Sequence, residues 1–311
     1  MLGRFLRRGA RPAPIAGPPA LGLAGVRLLV AIAHHHAPER LPFLLEVARA
    51  LGDFAVDRLD VVVITNLEDA GAREAIRRLL RPVLAVPGDV EVIPAGRLEH
   101  PFHLPWSHKP LISERFLVGQ AWTHFTYLED DIRFGFAAFR HFLAARPLLA
   151  PHGLVPGFFR VEFSAAKGAL HALDQTAPFD AAARPGIDAG GLRFVAAPNP
   201  YCAMYVLDRD LAEEHVVDPA FDREASRQIS TWEVRERAAM GLCWSRVPNG
   251  FSARQVIAVD LAELIVMPGC LVGHLAGNYA DDPARPFGKV PLAAVLDPRA
   301  WPDPGKAADV R

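Results

Sequence analysis

Four apolar runs, each ending on polar residues and separated from the next by a segment with helical spacing, constrain this chain more than any other feature. "VRLLVAIAHHH" (Val26 to His36) and "RLDVVVITN" (Arg58 to Asn66) have the continuous hydrophobicity of strands buried on both faces. "DVEVIPAG" (Asp89 to Gly96) and "THFTYLEDD" (Thr123 to Asp131) supply a third and a fourth strand. Between them, "APERLPFLLEVARAL" sets Leu41, Leu44, Leu45, Val47 and Ala48 at helical spacing, and "DAGAREAIRRLLRP" and "KPLISERFLVGQAW" follow as two further helices. This alternation predicts an α/β fold, a Rossmann-like, mostly parallel sheet flanked by helices and joined by right-handed crossovers. Ligands of such sheets bind beyond the carboxyl ends of the strands. His34 to His36, Thr65 with Asn66, and Glu129 to Asp131 therefore share one rim.

The second half is less regular. "FAAFRHFLAARPLL" predicts a helix and "GLVPGFFRVEFS" a strand bent at Pro156-Gly157. "NPYCAMYVLDRDLAEEHV" predicts strand then helix, "STWEVRERAAMGLCW" a helix, and "AELIVMPGCLVGHLAGNYA" short strands and a loop. The 311 residues, 51% of them hydrophobic, contain no internal repeat and no Gly/Ser linker. A single composite domain over residues 25–292 is expected, made of halves 25–150 and 151–292, between a disordered basic, proline-rich tail (1–24) and a C-terminal tail (293–311).

Glu129, Asp130 and Asp131 follow directly on a strand, and like charges so placed need full solvation or a compensating cation. A solvated turn accommodates such a triplet. Here it follows an apolar strand, precedes an apolar helix and sits on the ligand rim, which suits Mg²⁺ or Mn²⁺ holding carboxylate and phosphate oxygens together. On an extended segment Glu129 and Asp131 point the same way, and Asp130 points elsewhere, toward a ribose or sugar.

Other residues join this site by position. Lys109 precedes a helix, where a lysine and a helix N-terminus both suit phosphate or sugar hydroxyls. His34 and His35, and Thr65 and Asn66 at the next strand end, are placed to line a ligand pocket at this rim, where a nucleotide would be held; the adjacent histidines diverge and lack zinc spacing. Arg160 and Glu162 share one face of a strand as an ion pair. Asn249, Gly250 and Arg254 are accounted for by turn chemistry. "ISTWEVRERAAMG" opens a helix with Ser230 or Thr231 at its N-cap and Glu233 in its first turn, which capping alone explains.

A net charge of −1 advertises no nucleic-acid partner. Three cysteines without CxxC spacing suit a reducing, cytoplasmic compartment. No apolar run approaches the roughly 20 residues of a membrane span, although Leu2, Phe5 and Leu6 beside Arg4, Arg7 and Arg8 suit weak peripheral contact with an anionic membrane surface. No GxxxxGK[ST], GxGxxG or GxSxG motif occurs, which argues against P-loop NTPases, dinucleotide dehydrogenases and α/β-hydrolases.

From about Val26 to about Gly288 the chain resembles the GT-A glycosyltransferases, through "YLEDDI", its nucleotide-binding-like first half and "GCLVGHLAGNYA". The resemblance implies metal-dependent transfer of a sugar from a nucleotide-diphosphate donor to a glycan or other hydroxyl acceptor, in a role such as cell-surface polysaccharide biosynthesis. The donor would lie in the first half and the acceptor in the second. Asp131, Glu129 and His274 would hold Mn²⁺ or Mg²⁺, with Glu129 standing where the family has Asp. Lys109 and the metal would stabilise the leaving diphosphate, and Glu233, with Glu236 as a substitute, would be the base of an inverting reaction. The alternatives are a sugar-nucleotide nucleotidyltransferase, whose glycine-rich loop "AHHHAPER" lacks, and a non-catalytic carbohydrate- or nucleotide-binding protein of the same fold.

Overall fold

The structure is a computed structural model that describes residues 23–84 and 87–300. The N-terminal tail through residue 22, with its expected membrane contact, and residues 301–311 lie outside the described residues. The first half runs β1 (Arg27–His34), α1 (Leu41–Gly52), β2 (Arg58–Thr65), α2 (Ala70–Leu80), β3 (Val90–Pro94) and β4 (His124–Glu129). β1 pairs in parallel with β2 on one side and β4 on the other, and β2 pairs in parallel with β3. Its central place explains why every residue from Leu28 to His34 is buried.

The helices follow from their end residues and their apolar stripes. Pro42 sits in the first turn of α1, where the missing N–H costs nothing, and Leu44, Val47, Ala48 and Leu51 face the sheet. Asp69 caps α2 by accepting from the Ala72 N–H at 2.6 Å. The helix expected over 109–122 is replaced by a 3₁₀ stretch at Pro101–His108 and a π-type turn at Leu111–Phe116. Pro105 and Pro110 remove the backbone donors that a continuous α-helix would need.

The second half contains β5 (Ile132–Arg133), α3 (Phe136–Leu149), β6 (Val155–Pro156), β7 (Phe159–Ser164), β8 (Ala169–Ala172), β9 (Gly186–Ala189) and β10 (Leu192–Val195). It continues with β11 (Met204–Asp208), α4 (Arg209–Val216), α5 (Val234–Ala238), β12 (Gln255–Asp260), β13 (Ile265–Val266), β14 (Leu271–His274) and β15 (Val290–Pro291). The α/β expectation is met as a mixed fold with several sheets. β11 completes the main sheet in the order β11-β4-β1-β2-β3 but runs antiparallel to β4. A second sheet has the order β13-β12-β10-β9 with β6 on β12, and a third the order β15-β8-β7-β14-β5, both mainly of antiparallel pairs.

α3 joins the two hydrophobic cores, giving Phe139 and Phe142 to the one around the main sheet and Ala145 and Leu149 to the other. The helix expected over 230–244 shortens to α5, the rest being compact turns. Residues 293–300, grouped in the sequence with the C-terminal tail, continue the packed structure through Val295 and Leu296. Among the described residues no helix is long and apolar enough to cross a membrane.

Gly52 ends α1 where a Cβ would lie 2.2 Å from the Val83 carbonyl oxygen. Gly52→Ala is therefore expected to lower stability in urea unfolding by about 2–3 kcal/mol, as overpacking against backbone does. Gly135→Ala, where a Cβ meets nothing within 4 Å, is expected to cost less than about 1 kcal/mol in the same measurement.

Candidate functional site

A pocket of about 720 Å³ opens at the carboxyl ends of β1 and β4, the place and size expected of a ligand site in such a sheet. Ala33, His35 and Arg40 line one side, and Glu129, Asp130 and Asp131 the floor. Arg160, Asp174, Tyr201, Trp232, Arg235, Glu236, His274, Tyr279 and Arg285 come from the second half. The rim inferred from topology and the far part of the chain thus meet in one cavity.

The acidic triplet has a cation of its own. Asp130 is buried, accepts from His34 Nδ1 at 2.5 Å and from Arg40 Nε at 3.1 Å, and pairs a second time with the Arg40 guanidinium. Arg40 also donates to Asp131 Oδ2 at 3.0 Å. It stands on the single 3₁₀ turn Pro38–Arg40 before α1, and the Asp130 hydrogen bond raises its pKa above the ordinary guanidinium value. Because His34 Nδ1 faces a carboxylate, it carries a proton; its Nε2 is buried with no partner. His34 therefore braces Asp130 from behind the pocket wall, while the exposed His35 lines the pocket.

Thr65 and Asn66 do not line the pocket. The Thr65 hydroxyl accepts from the Leu67 N–H at 3.3 Å and Asn66 Oδ1 from the His36 N–H at 2.7 Å, so they tie the ends of β1 and β2 together. Glu129 is half-buried. Burial first, and the Asp131 charge next, push its carboxyl from 4.5 up to about 8. Tyr201 O–H donates to Glu129 Oε1 at 3.4 Å, and the ring of Tyr201 lies 4.7 Å beneath the Arg160 guanidinium. Arg160 pairs with Asp174 through bonds of 2.9 and 2.6 Å, whereas Glu162, its expected partner, accepts the N–H groups of Tyr279 and Ala280.

Asp131 and His274 come together as expected. His274 ends β14, which pairs with β5 so that His274 faces Ile132, and the Leu275 N–H donates to the Asp131 carbonyl at 2.9 Å. His274 Nε2 lies 3.6 Å from Asp131 Oδ2, and its Nδ1 3.9 Å from Glu162 Oε1. Asp131 Oδ1 is buried with no hydrogen-bond partner. Among the described residues no group of three His, Cys, Asp or Glu side chains forms a closed metal cage. What is present is an open edge of two donors, Asp131 and His274. That edge fits a Mg²⁺ or Mn²⁺ ion that keeps water and takes the rest of its ligands from substrate phosphates.

Lys109 is not brought to this pocket. It is buried among the rings of Trp106, Tyr205 and Phe221. His108 Nδ1 faces the Pro105 carbonyl and so carries the proton, which leaves Nε2 to accept from the Tyr205 hydroxyl. The Tyr205 oxygen accepts from Lys109 Nζ at 3.2 Å, and Nζ donates onward to His215 Nε2 at 2.8 Å. Burial holds the pKa values of Lys109, His108 and His215 well below their ordinary values.

Glu233 is the exposed N-cap of α5 and does not line the pocket; Glu236, one turn on, does. Glu236 Oε2 accepts from the Glu233 N–H at 3.0 Å. Sequence reasoning missed Arg40, although "APER" follows the first strand end directly. It also missed Tyr201 and Trp232, whose stacked rings, 5.8 Å apart, form an aromatic wall that no local pattern signals.

No protein-family model and no curated protein matches the chain. Among solved structures it is similar to the apo-form glycosyltransferase GlyE of Streptococcus pneumoniae TIGR4, with 10% identity over 68% of this chain and 42% of that chain, and a TM-score of 0.37. A second structure of the glycosyltransferase GlyE from the same organism aligns at 10% identity over the same shares, with a TM-score of 0.34. This chain spans about two fifths of the length of both, 42%.

The raised pKa of Glu129 fixes the sign of a pH effect. Between 4.5 and about 8 the unfolded chain has released this proton and the folded chain retains it, so stability falls as pH rises through that window. Glu129→Gln removes this dependence. Its stability relative to wild type, from urea unfolding at several pH values, is expected to rise from pH 4.5 to about 8 and then level off.

Proposed function

We propose that this chain is a glycosyltransferase that moves a sugar from a nucleotide-diphosphate donor to a hydroxyl acceptor, with Mg²⁺ or Mn²⁺ held by Asp131 and His274. The observation that supports this most is Asp131, whose Oδ1 is buried and unpartnered and whose Oδ2 lies 3.6 Å from His274 Nε2, in a pocket of about 720 Å³ at the ends of parallel strands. A bound ion would neutralise charge growing on the departing diphosphate.

The chain's own residues supply the rest. Arg235 and Arg285, stacked on Phe102 and Tyr279 at 4.9 and 5.8 Å, give the pocket guanidinium groups suited to phosphate. Trp232 and Tyr201 line the pocket with an aromatic wall suited to pack against a base or sugar. Glu129, protonated at neutral pH, is suited to donate a hydrogen bond to a sugar hydroxyl. In this assignment the base is Glu236 rather than Glu233. The acceptor oxygen bonds to the sugar C1, the C1–O bond to the diphosphate breaks with its electron pair leaving on the diphosphate, and the acceptor's proton passes to Glu236.

Calorimetry with UDP and GDP tests the donor site. Binding is expected to require Mn²⁺ and to be lost in Asp131→Asn; nucleotide binding indifferent to both Mn²⁺ and Asp131 would overturn the proposal. Once a donor is found, Glu236→Gln is expected to reduce turnover at least about 100-fold with donor affinity unchanged, as loss of a general base does. Glu233→Gln should keep most activity. A protein that binds the donor but turns over no acceptor would instead be a carbohydrate- or nucleotide-binding protein.

A further inference from the structure

Arg40 sets a positive charge directly beside the carboxylate proposed to hold the metal ion. Its guanidinium bonds both Asp130 and Asp131 Oδ2, so one of the two charges on these buried carboxylates is already offset before any ligand arrives. Two features make this pairing divisible. Asp130 has a second partner in His34, 2.5 Å away, and is not left bare if Arg40 moves. Arg40 itself lines the pocket with 30% of its side chain exposed, whereas Asp130 and Asp131 are buried. On the same carboxylate, Asp131 Oδ1 is unpartnered, and His274 Nε2 lies 3.6 Å from Oδ2, the oxygen that Arg40 also bonds.

A divalent ion held by Asp131 and His274 would therefore meet a positive charge already bonded to the same carboxylate, on the oxygen that lies 3.6 Å from His274. Charges so close repel strongly where the carboxylates between them are buried, as Asp130 and Asp131 are. The repulsion is relieved when the anionic groups of a diphosphate lie beside both cations, or when the guanidinium turns from Asp131 onto a phosphate, a bidentate partner for which arginine is well shaped.

We infer that Arg40 is a positioning residue that makes metal binding conditional on a nucleoside diphosphate: it suppresses capture of the ion by the free protein and pairs with the diphosphate in the complex. This rests on Asp131 and His274 holding Mg²⁺ or Mn²⁺, as proposed above. Linkage requires the coupling to be reciprocal, so the metal tightens diphosphate binding by the factor by which the diphosphate tightens metal binding.

The test is Mn²⁺ binding, followed by the electron paramagnetic resonance signal of free Mn²⁺, to the full chain as wild type, Arg40→Met and Arg40→Lys, each with and without UDP or GDP. Without nucleotide, Arg40→Met is expected to bind Mn²⁺ at least about tenfold more tightly than wild type, the effect of removing one nearby like charge. Arg40→Lys is expected to stay close to wild type. Nucleotide is expected to tighten Mn²⁺ binding strongly in wild type and much less in Arg40→Met. General damage to the fold would lower metal affinity, not raise it, and Arg40→Gln repeats the test should the methionine variant fail to fold. Equal or weaker Mn²⁺ binding by the neutral variants, with nucleotide-dependent binding intact in wild type, overturns the inference and leaves the proposed function standing. Arg40→Lys behaving like Arg40→Met overturns it as well. No Mn²⁺ binding by any form, with or without either nucleotide, overturns both.

Discussion

The structure around the pocket depends on Asp130 having two hydrogen-bonding partners, the His34 imidazole and the Arg40 guanidinium. A carboxylate buried at the end of β4 would be costly alone, and removing one partner of such a group commonly costs about 3–5 kcal/mol. His34 comes from the end of β1 and Arg40 from the turn leading into α1, so one buried carboxylate ties a strand pair and a helix entry together. The neighbouring Asp131 inherits this rigidity. Its carboxylate is held on one oxygen by Arg40 and left open on the other.

The second half is built so that a distant residue reaches that carboxylate, His274 Nε2 lying 3.6 Å from Asp131 Oδ2. β5 follows Asp131 directly and pairs with β14, so the ladder that closes the third sheet also delivers His274. Arg160, on the adjacent β7, is fixed by Asp174 and by the ring of Tyr201. Trp232 continues the aromatic wall from Tyr201 to Trp244, its rings 5.8 and 5.4 Å from theirs. Few of these groups are near one another in the chain, yet Arg160, Asp174, Tyr201, Trp232 and His274 all line one pocket.

What the sequence revealed follows the strength of local patterns. β1, β2 and β4 are long, continuously apolar and central, and α3 fills its expected span of Phe136–Leu149. β8, β9 and β10 are four residues each and partly exposed, too short for periodicity to distinguish from loops, and β12 passed unnoticed among turn residues. The acidic rim was legible because topology places strand ends together. Lys109 was misplaced because a buried lysine is rare and nothing local marks one; only the tertiary contact with His215 and three aromatic rings shows it. Glu233 and Glu236 differ by one helical turn, and which of them meets the pocket depends on how α5 is docked.

The buried Lys109 has a chemical consequence. An amine sealed behind Trp106 and Phe221, and disfavoured there as a cation, is out of reach of acylating reagents while the fold is closed. Modification at this position requires the packing of Trp106, Tyr205, Phe221 and His215 around the amine to open. Its labelling rate is thus an internal clock for such openings, separable from the reactivity of surface lysines, and it reports on the part of the fold that supports the pocket from behind.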